Sequence, residues 1–135
     1  MTKRIYCDTN VYLDYLLDRS NLLGRSIGDR AFRVFSRALS CEFEIVFSSW
    51  NNDELKSAVD WNTVKMLSSF LKRKTVMIEH TKDDIEKARK MSEHYHDALH
   101  VILAQKAEAS VLVTSNLQHF LQYRHLIEIK LPQNL

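Results

Sequence analysis

The sequence predicts an α/β fold, a three-layer α/β/α sandwich around a mainly parallel central sheet. Three observations predict it. Short apolar runs alternate with stretches of helical periodicity along the whole chain. The run Ser110-Val111-Leu112-Val113-Thr114 has an unbroken apolar centre, the pattern of a strand covered on both faces. Two Gly and one Pro in 135 residues leave little chain for irregular connections. That length suits a single domain over residues 1–135, and 45% hydrophobic content supports a proper core.

Each element follows in order. Arg4 to Cys7 reads as the first strand. Asn10 to Leu17 reads as the first helix, with Thr9 or Asn10 as its cap and Val11, Tyr12, Tyr15 and Leu16 on one face. Asp18 to Asp29 holds both glycines, Gly24 and Gly28, and is expected to be a mobile loop. Arg30 to Ser40 is helical by its stripe of Ala31, Val34, Phe35 and Ala38. Glu44 to Ser48 is the second strand, and helices are expected over Asp53–Val59 and Asn62–Lys72. Thr75 to Ile78 is the third strand. Thr81 and Asp84 have capping-box spacing for a helix striped by Ile85, Ala88 and Met91. Asp97 opens a helix that is apolar nearly all round, so it should be well covered. The strand at Ser110–Thr114, a short helix at Leu117–Leu121 and a strand at Ile127–Ile129 follow. Pro132 disfavours any extension of that last strand.

Charge is weakly informative. The net charge of +2 does not by itself argue for a nucleic-acid partner. Arg30, Arg33 and Arg37 share a helical face, and Lys72-Arg73-Lys74 forms a basic run. Either cluster suits phosphates, and either equally suits a solvated face or a helix C-terminus. No apolar stretch approaches membrane-spanning length, and Asp8 interrupts the only signal-peptide-like region. Cys7 and Cys41 fall in apolar, strand-like settings. Both are expected as reduced, buried thiols of a cytoplasmic protein.

The chemistry concentrates in acids at corresponding places of the alternation. Asp8 ends the first strand, and Glu54 falls in the first turn of the helix after the second. Asp97 opens the central helix. Thr114-Ser115-Asn116 ends the most apolar strand. In a parallel sheet the strand ends and the following helix starts share one edge, where open α/β sheets hold their ligands. Clustered carboxylates repel unless a cation neutralises them. A hard, oxygen-liganded Mg²⁺ or Mn²⁺ suits them, and such a metal supports phosphodiester hydrolysis. The same positions also suit helix capping: Asp8 and Asn116 as N-caps, Glu54 three residues after Asn51, and Asp97 favoured by the helix dipole. Pattern alone leaves both readings open.

These segments together resemble the PIN domain family, including the VapC-type toxins of toxin–antitoxin pairs. The resemblance rests on Tyr6-Cys7-Asp8-Thr9-Asn10-Val11-Tyr12-Leu13-Asp14, on Asp53-Glu54-Leu55, and on His96-Asp97-Ala98-Leu99-His100-Val101-Ile102-Leu103-Ala104. Val111-Leu112-Val113-Thr114-Ser115-Asn116 and Phe120 complete it, so nearly the whole chain is covered. The resemblance implies a Mg²⁺- or Mn²⁺-dependent ribonuclease that acts on RNA and is silenced by an antitoxin protein. It implies Asp8, Glu54 and Asp97 as the catalytic acids, with Asp8 and Asp97 as main metal ligands and Glu54 acting through water. Thr9 or Asn10 and Ser115 would orient ligands or water. Asn116 stands where many members carry Asp, so it implies a weaker second metal position.

Rival readings accompany this one. His96 and His100 have the one-turn spacing of helical zinc ligands, with Glu93 near. Packing beside Asp97 explains the same histidines. Asp14 faces away from the apolar stripe and is expected near the site or in solvent. A non-catalytic RNA-binding or protein-interaction domain on the same fold is the alternative function. Tyr12, Tyr15, Trp50 and Trp61 are candidate contacts of a homodimer, or core.

Overall fold

The computed structural model describes residues 3–17 and 27–135. The chain runs β1 (Arg4–Cys7), α1 (Thr9–Leu16), α2 (Ile27–Leu39), β2 (Glu44–Ser48), α3 (Ser49–Ala58), α4 (Trp61–Leu71) and β3 (Thr75–Ile78). It continues through α5 (Lys82–Met91), α6 (Tyr95–Lys106), β4 (Val111–Val113), α7 (Leu117–Phe120) and β5 (Glu128–Lys130). The five strands form one parallel sheet in the order β3-β2-β1-β4-β5. This is the expected α/β/α sandwich.

Strand alternation divides the core in two. Ile5, Cys7, Ile45, Phe47, Val111 and Val113 face one side, where α1, α2, α3 and α4 cover them through residues such as Tyr12, Phe35, Leu55 and Leu67. Tyr6, Val46 and Leu112 face the other, beneath Ala88 of α5, Leu99 and Leu103 of α6 and Phe120 of α7. As expected of its sequence, α6 buries Ala98, Leu99, Val101, Leu103 and Ala104.

The chain winds outward from β1 to β3, then returns to place β4 on the other side of β1. The sheet therefore has a switch point between β1 and β4. At the carboxyl ends of those two strands, diverging connections open a crevice.

Several expectations need correction. Residues 18–26 of the expected loop lie outside the described residues, and its last part is helical, since α2 begins at Ile27. Cys7 is buried and free, but Cys41 is exposed, in a left-handed turn after α2 with φ 68°. Tyr12 is fully buried in the core, so it is no surface contact, whereas Trp61 is 56% exposed. Arg37 is partly exposed but partnered. It donates to Glu42 Oε2 (2.9 Å) and the Leu135 carbonyl (2.6 Å) and lies over the Phe43 ring. Lys72–Lys74 form a 3-10 turn that precedes β3. They lie at the amino edge of the sheet, opposite the acids. Among the described residues no helix is long and apolar enough to cross a membrane.

Candidate active site

Asp8 sits at the switch point. Its backbone closes β1 against β4, with its N–H donating to the Val113 carbonyl at 2.8 Å. Asp8 occupies the N-cap position of α1, yet its side chain accepts no capping hydrogen bond from the helix. The expected caps, Thr9 and Asn10, are helical residues instead. The Asp8 carboxylate is buried and accepts from Thr114 Oγ1 at 3.1 Å. Burying a charge there instead of using it as an exposed cap requires partners, and Thr114, the residue after β4, supplies one.

Glu54 arrives on α3, in its second turn and not its first. The helix starts at Ser49 because Ser48 and Asn51 close a capping box. The Asn51 N–H donates to Ser48 Oγ and the Ser48 N–H to Asn51 Oδ1, both at 3.0 Å. Asn51, not Glu54, therefore completes the cap. Asn51 Nδ2 then donates to Thr9 Oγ1 (2.9 Å) and the Cys7 carbonyl (3.2 Å), and Thr9 Oγ1 donates to Glu54 Oε1 at 2.7 Å. Thr9 thus fixes Glu54 to the start of α1, while Asn10 is half-buried and joins none of these bonds.

The residue that organises the cluster is His100, one turn beyond Asp97 on α6 and fully buried. Its Nε2 lies 2.6 Å from Glu54 Oε1 and 3.6 Å from Asp8 Oδ1. Its Nδ1 lies 2.6 Å from the Tyr6 hydroxyl, which lies 2.7 Å from Ser48 Oγ. Ser48 Oγ donates to Asn51 Oδ1 at 3.0 Å. The Glu54 carboxylate accepts from His100 Nε2–H, and Nδ1 shares a proton with the Tyr6 hydroxyl. Burial lowers the His100 pKa, but the Glu54 hydrogen bond and the charges of Asp8, Glu54 and Asp97 outweigh it and hold it above 6.5. Burial raises the Glu54 carboxyl, but His100 and Thr9 bring it below its ordinary value.

Asp97 is half-buried in the first turn of α6, with His119 Nδ1 at 3.6 Å. Burial and then the charge of Asp8 raise its pKa, with Glu54 adding, against partial relief from His100 and His119. The three acids therefore feel one another. At the fourth corner, Ser115 Oγ donates to Asp14 Oδ2 at 2.5 Å, and Asp14 is 2% exposed, so Asp14 is not a solvent residue. Asn116 is exposed. Its N–H donates to Thr114 Oγ1 at 3.0 Å, and its side chain makes no capping hydrogen bond.

Among the described residues, no three His, Cys, Asp or Glu side chains stand close enough together to hold a metal as they are. His100 Nε2 stands against both Glu54 Oε1 and Asp8 Oδ1. The two histidines of the zinc reading lie apart in setting, since His96 is exposed and stacks on Trp50 while His100 is buried against Tyr6. The donors at the crevice, the carboxylates of Asp8 and Asp97 and the Glu54 oxygen that His100 and Thr9 leave alone, are hard oxygen of the kind that suits Mg²⁺ or Mn²⁺.

Tyr6, Ser48 and Asn51 were not among the expected site residues, and His100 was expected as a zinc ligand or as packing beside Asp97. The available signal was a titratable or hydroxyl group in the middle of an apolar run, as Tyr6 and His100 are, because buried polar groups require partners. No protein-family model matches the chain, and no curated protein matches it.

Proposed function

We propose that the chain is a metal-dependent endoribonuclease that hydrolyses phosphodiester bonds at the crevice of Asp8, Glu54 and Asp97. The observation that supports this most is the shared place of these acids at the carboxyl edge of the sheet, near enough for their charges to act on one another. Asp97 is held above its ordinary carboxyl pKa by burial and by Asp8. A divalent cation relieves such repulsion. The resemblance to PIN domains points the same way. Asp8 and Asp97 would hold Mg²⁺ or Mn²⁺. Bound there, the cation would activate water and stabilise the charge that builds on the phosphodiester. Thr114 orients the Asp8 carboxylate, and Thr9 and His100 orient Glu54. The His100 charge offsets one carboxylate, and Asn116 withholds another. We therefore assign one metal, not two. On the resemblance alone, the reading extends to a toxin silenced by an antitoxin protein; a cytoplasmic setting draws on the free cysteines, and a homodimer on the aromatic and apolar content.

The test is Asp8→Asn and Asp97→Asn. Each should reduce Mg²⁺- or Mn²⁺-dependent cleavage of RNA to background while circular dichroism shows an intact fold. Wild-type protein that cleaves none of a varied RNA panel, and takes up neither metal in calorimetric titration, would end the proposal. The second reading, a non-catalytic RNA-binding domain, draws on the neutral Asn116 and the His100 clamp. It expects salt-dependent RNA binding that needs no metal and survives loss of Asp97.

A further inference from the structure

Beside Glu54 lies a cavity of about 370 Å³ lined by Trp50, Asp53, Glu54, Ser57 and His96. It is in the range of small-ligand pockets, about 300–1,000 Å³. Its aromatic wall is built from two elements. Trp50 rides on α3 one residue after the capped start, and His96 rides on the first turn of α6. Their rings are parallel, 3° apart in plane, with centroids 5.5 Å apart. Tyr95 packs against His96 at 4.5 Å and Arg89 lies over Tyr95, while His80 meets Trp50 edge-on at 5.7 Å. His80 is itself held, its N–H donating to Ser49 Oγ at 2.8 Å. These contacts hold the pair in place. The rest of the lining is acceptor-rich, from the carboxylates of Asp53, with His80 Nε2 at 3.8 Å, and Glu54 and the hydroxyl of Ser57.

We propose that this cavity is a nucleobase subsite, in which a single-stranded base stacks against the Trp50–His96 pair, extending its stack, and donates its amine edge to Asp53. Two carboxylates exclude a phosphate from the cavity itself. What the lining selects is a flat, neutral group with hydrogen-bond donors, and an unstacked base has that form. Carboxylates accept from the exocyclic amine of cytosine, whereas uracil presents a carbonyl at that position. Cytosine should therefore be preferred to uracil. Glu54 lines the cavity and also belongs to the acid crevice, so a base seated here leaves its own phosphate beside the acids. The choice of RNA as the source of the base rests on the nuclease reading; the cavity and its lining do not.

The test uses the full chain carrying Asp97→Asn, to prevent turnover, and Trp61→Phe, so that Trp50 alone fluoresces. Short oligocytidine and oligouridine ribonucleotides are titrated in metal-free buffer. Saturable quenching of Trp50 is expected, tighter for oligocytidine than for oligouridine. Removing the platform by Trp50→Ala should weaken oligocytidine binding, read by anisotropy of a labelled strand, about 5- to 150-fold, the range for loss of one stacked base. Trp50→Phe should restore most of it. His96→Ala, at an exposed position, serves if Trp50→Ala does not fold. Asp53→Ala, which removes the acceptor, should erase the preference for cytosine over uridine, whatever it does to the affinity for both strands. Unchanged affinity in Trp50→Ala or His96→Ala would overturn the subsite. So would Trp50 quenching by argininamide but by neither oligonucleotide, which would make the cavity a socket for a protein's arginine. Because binding is read without metal or cleavage, an inactive wild type would end the nuclease reading and leave this result standing.

Discussion

A single buried imidazole decides how the acids of this molecule coexist. His100 bonds Glu54 on one side and Tyr6 on the other, and stands beside Asp8. The pH dependence of stability follows from the two shifts. Glu54 has a folded pKa below its ordinary 4.5, so its contribution is present above about pH 4.5 and is lost as pH falls. His100 has a folded pKa above its ordinary 6.5, so its contribution is complete below about pH 6.5 and is lost as pH rises through the raised value. The pair thus contributes most between those limits. Urea unfolding of wild type and His100→Gln from pH 4 to 9 should show the largest difference in that window, shrinking toward both ends. A difference that stays level with pH would mean that packing, not charge, is what His100 supplies.

At the scale of elements, ends were harder to read than middles, and the reason is visible at each end. The bounds of β1, β2 and β3 match the apolar runs of the sequence. The start of α3 was missed because Asn51 closes the Ser48 box, a position where Glu or Gln is the usual signal. The Thr81–Asp84 box was read because the Asp84 side chain accepts from the Thr81 N–H in the ordinary way. Helix C-termini commonly carry Gly in the left-handed conformation, but the chain has only two glycines. Here Cys41 and Glu108 take that conformation after α2 and α6, with φ of 68° and 59°. Beyond α6 the Ala109 N–H returns to the Ala104 carbonyl at 2.9 Å, so the turn is a true helix stop. A side chain in this region costs roughly 1–2 kcal/mol, partly offset in glycine by its unfolded-state entropy. Glu108→Gly should therefore raise stability, by up to about 1 kcal/mol, in chemical denaturation. A loss of stability would show that the Glu108 side chain contributes contacts that outweigh the strain.

Over the whole molecule, the sheet both gathers the site and separates the cores. The sequence order Asp8, Glu54, Asp97, Thr114 was legible as one edge because parallel strands put all their carboxyl ends together. The partners that hold those acids were not legible. Tyr6 to His100, Thr9 to Glu54 and Asn51 to Thr9 join residues 94, 45 and 42 positions apart, and no local periodicity encodes such pairs. The separation of the cores leads to a test of the architecture itself. Val34 of α2 is buried on one face of the sheet and Leu99 of α6 on the other, with the strands between them. They share no cluster, so neither cavity can be filled by relaxation of the other's surroundings. Leu99→Ala should cost about 2–5 kcal/mol, and Val34→Ala about 0.5–3 kcal/mol. The double variant should lose the sum within about 0.5 kcal/mol, as independent sites do. Unfolding should still be a single transition, because β1, β2 and β4 contribute side chains to both cores. A coupling well above 0.5 kcal/mol would mean that the sheet transmits strain between its faces, and two separate transitions would mean that each face folds as its own unit.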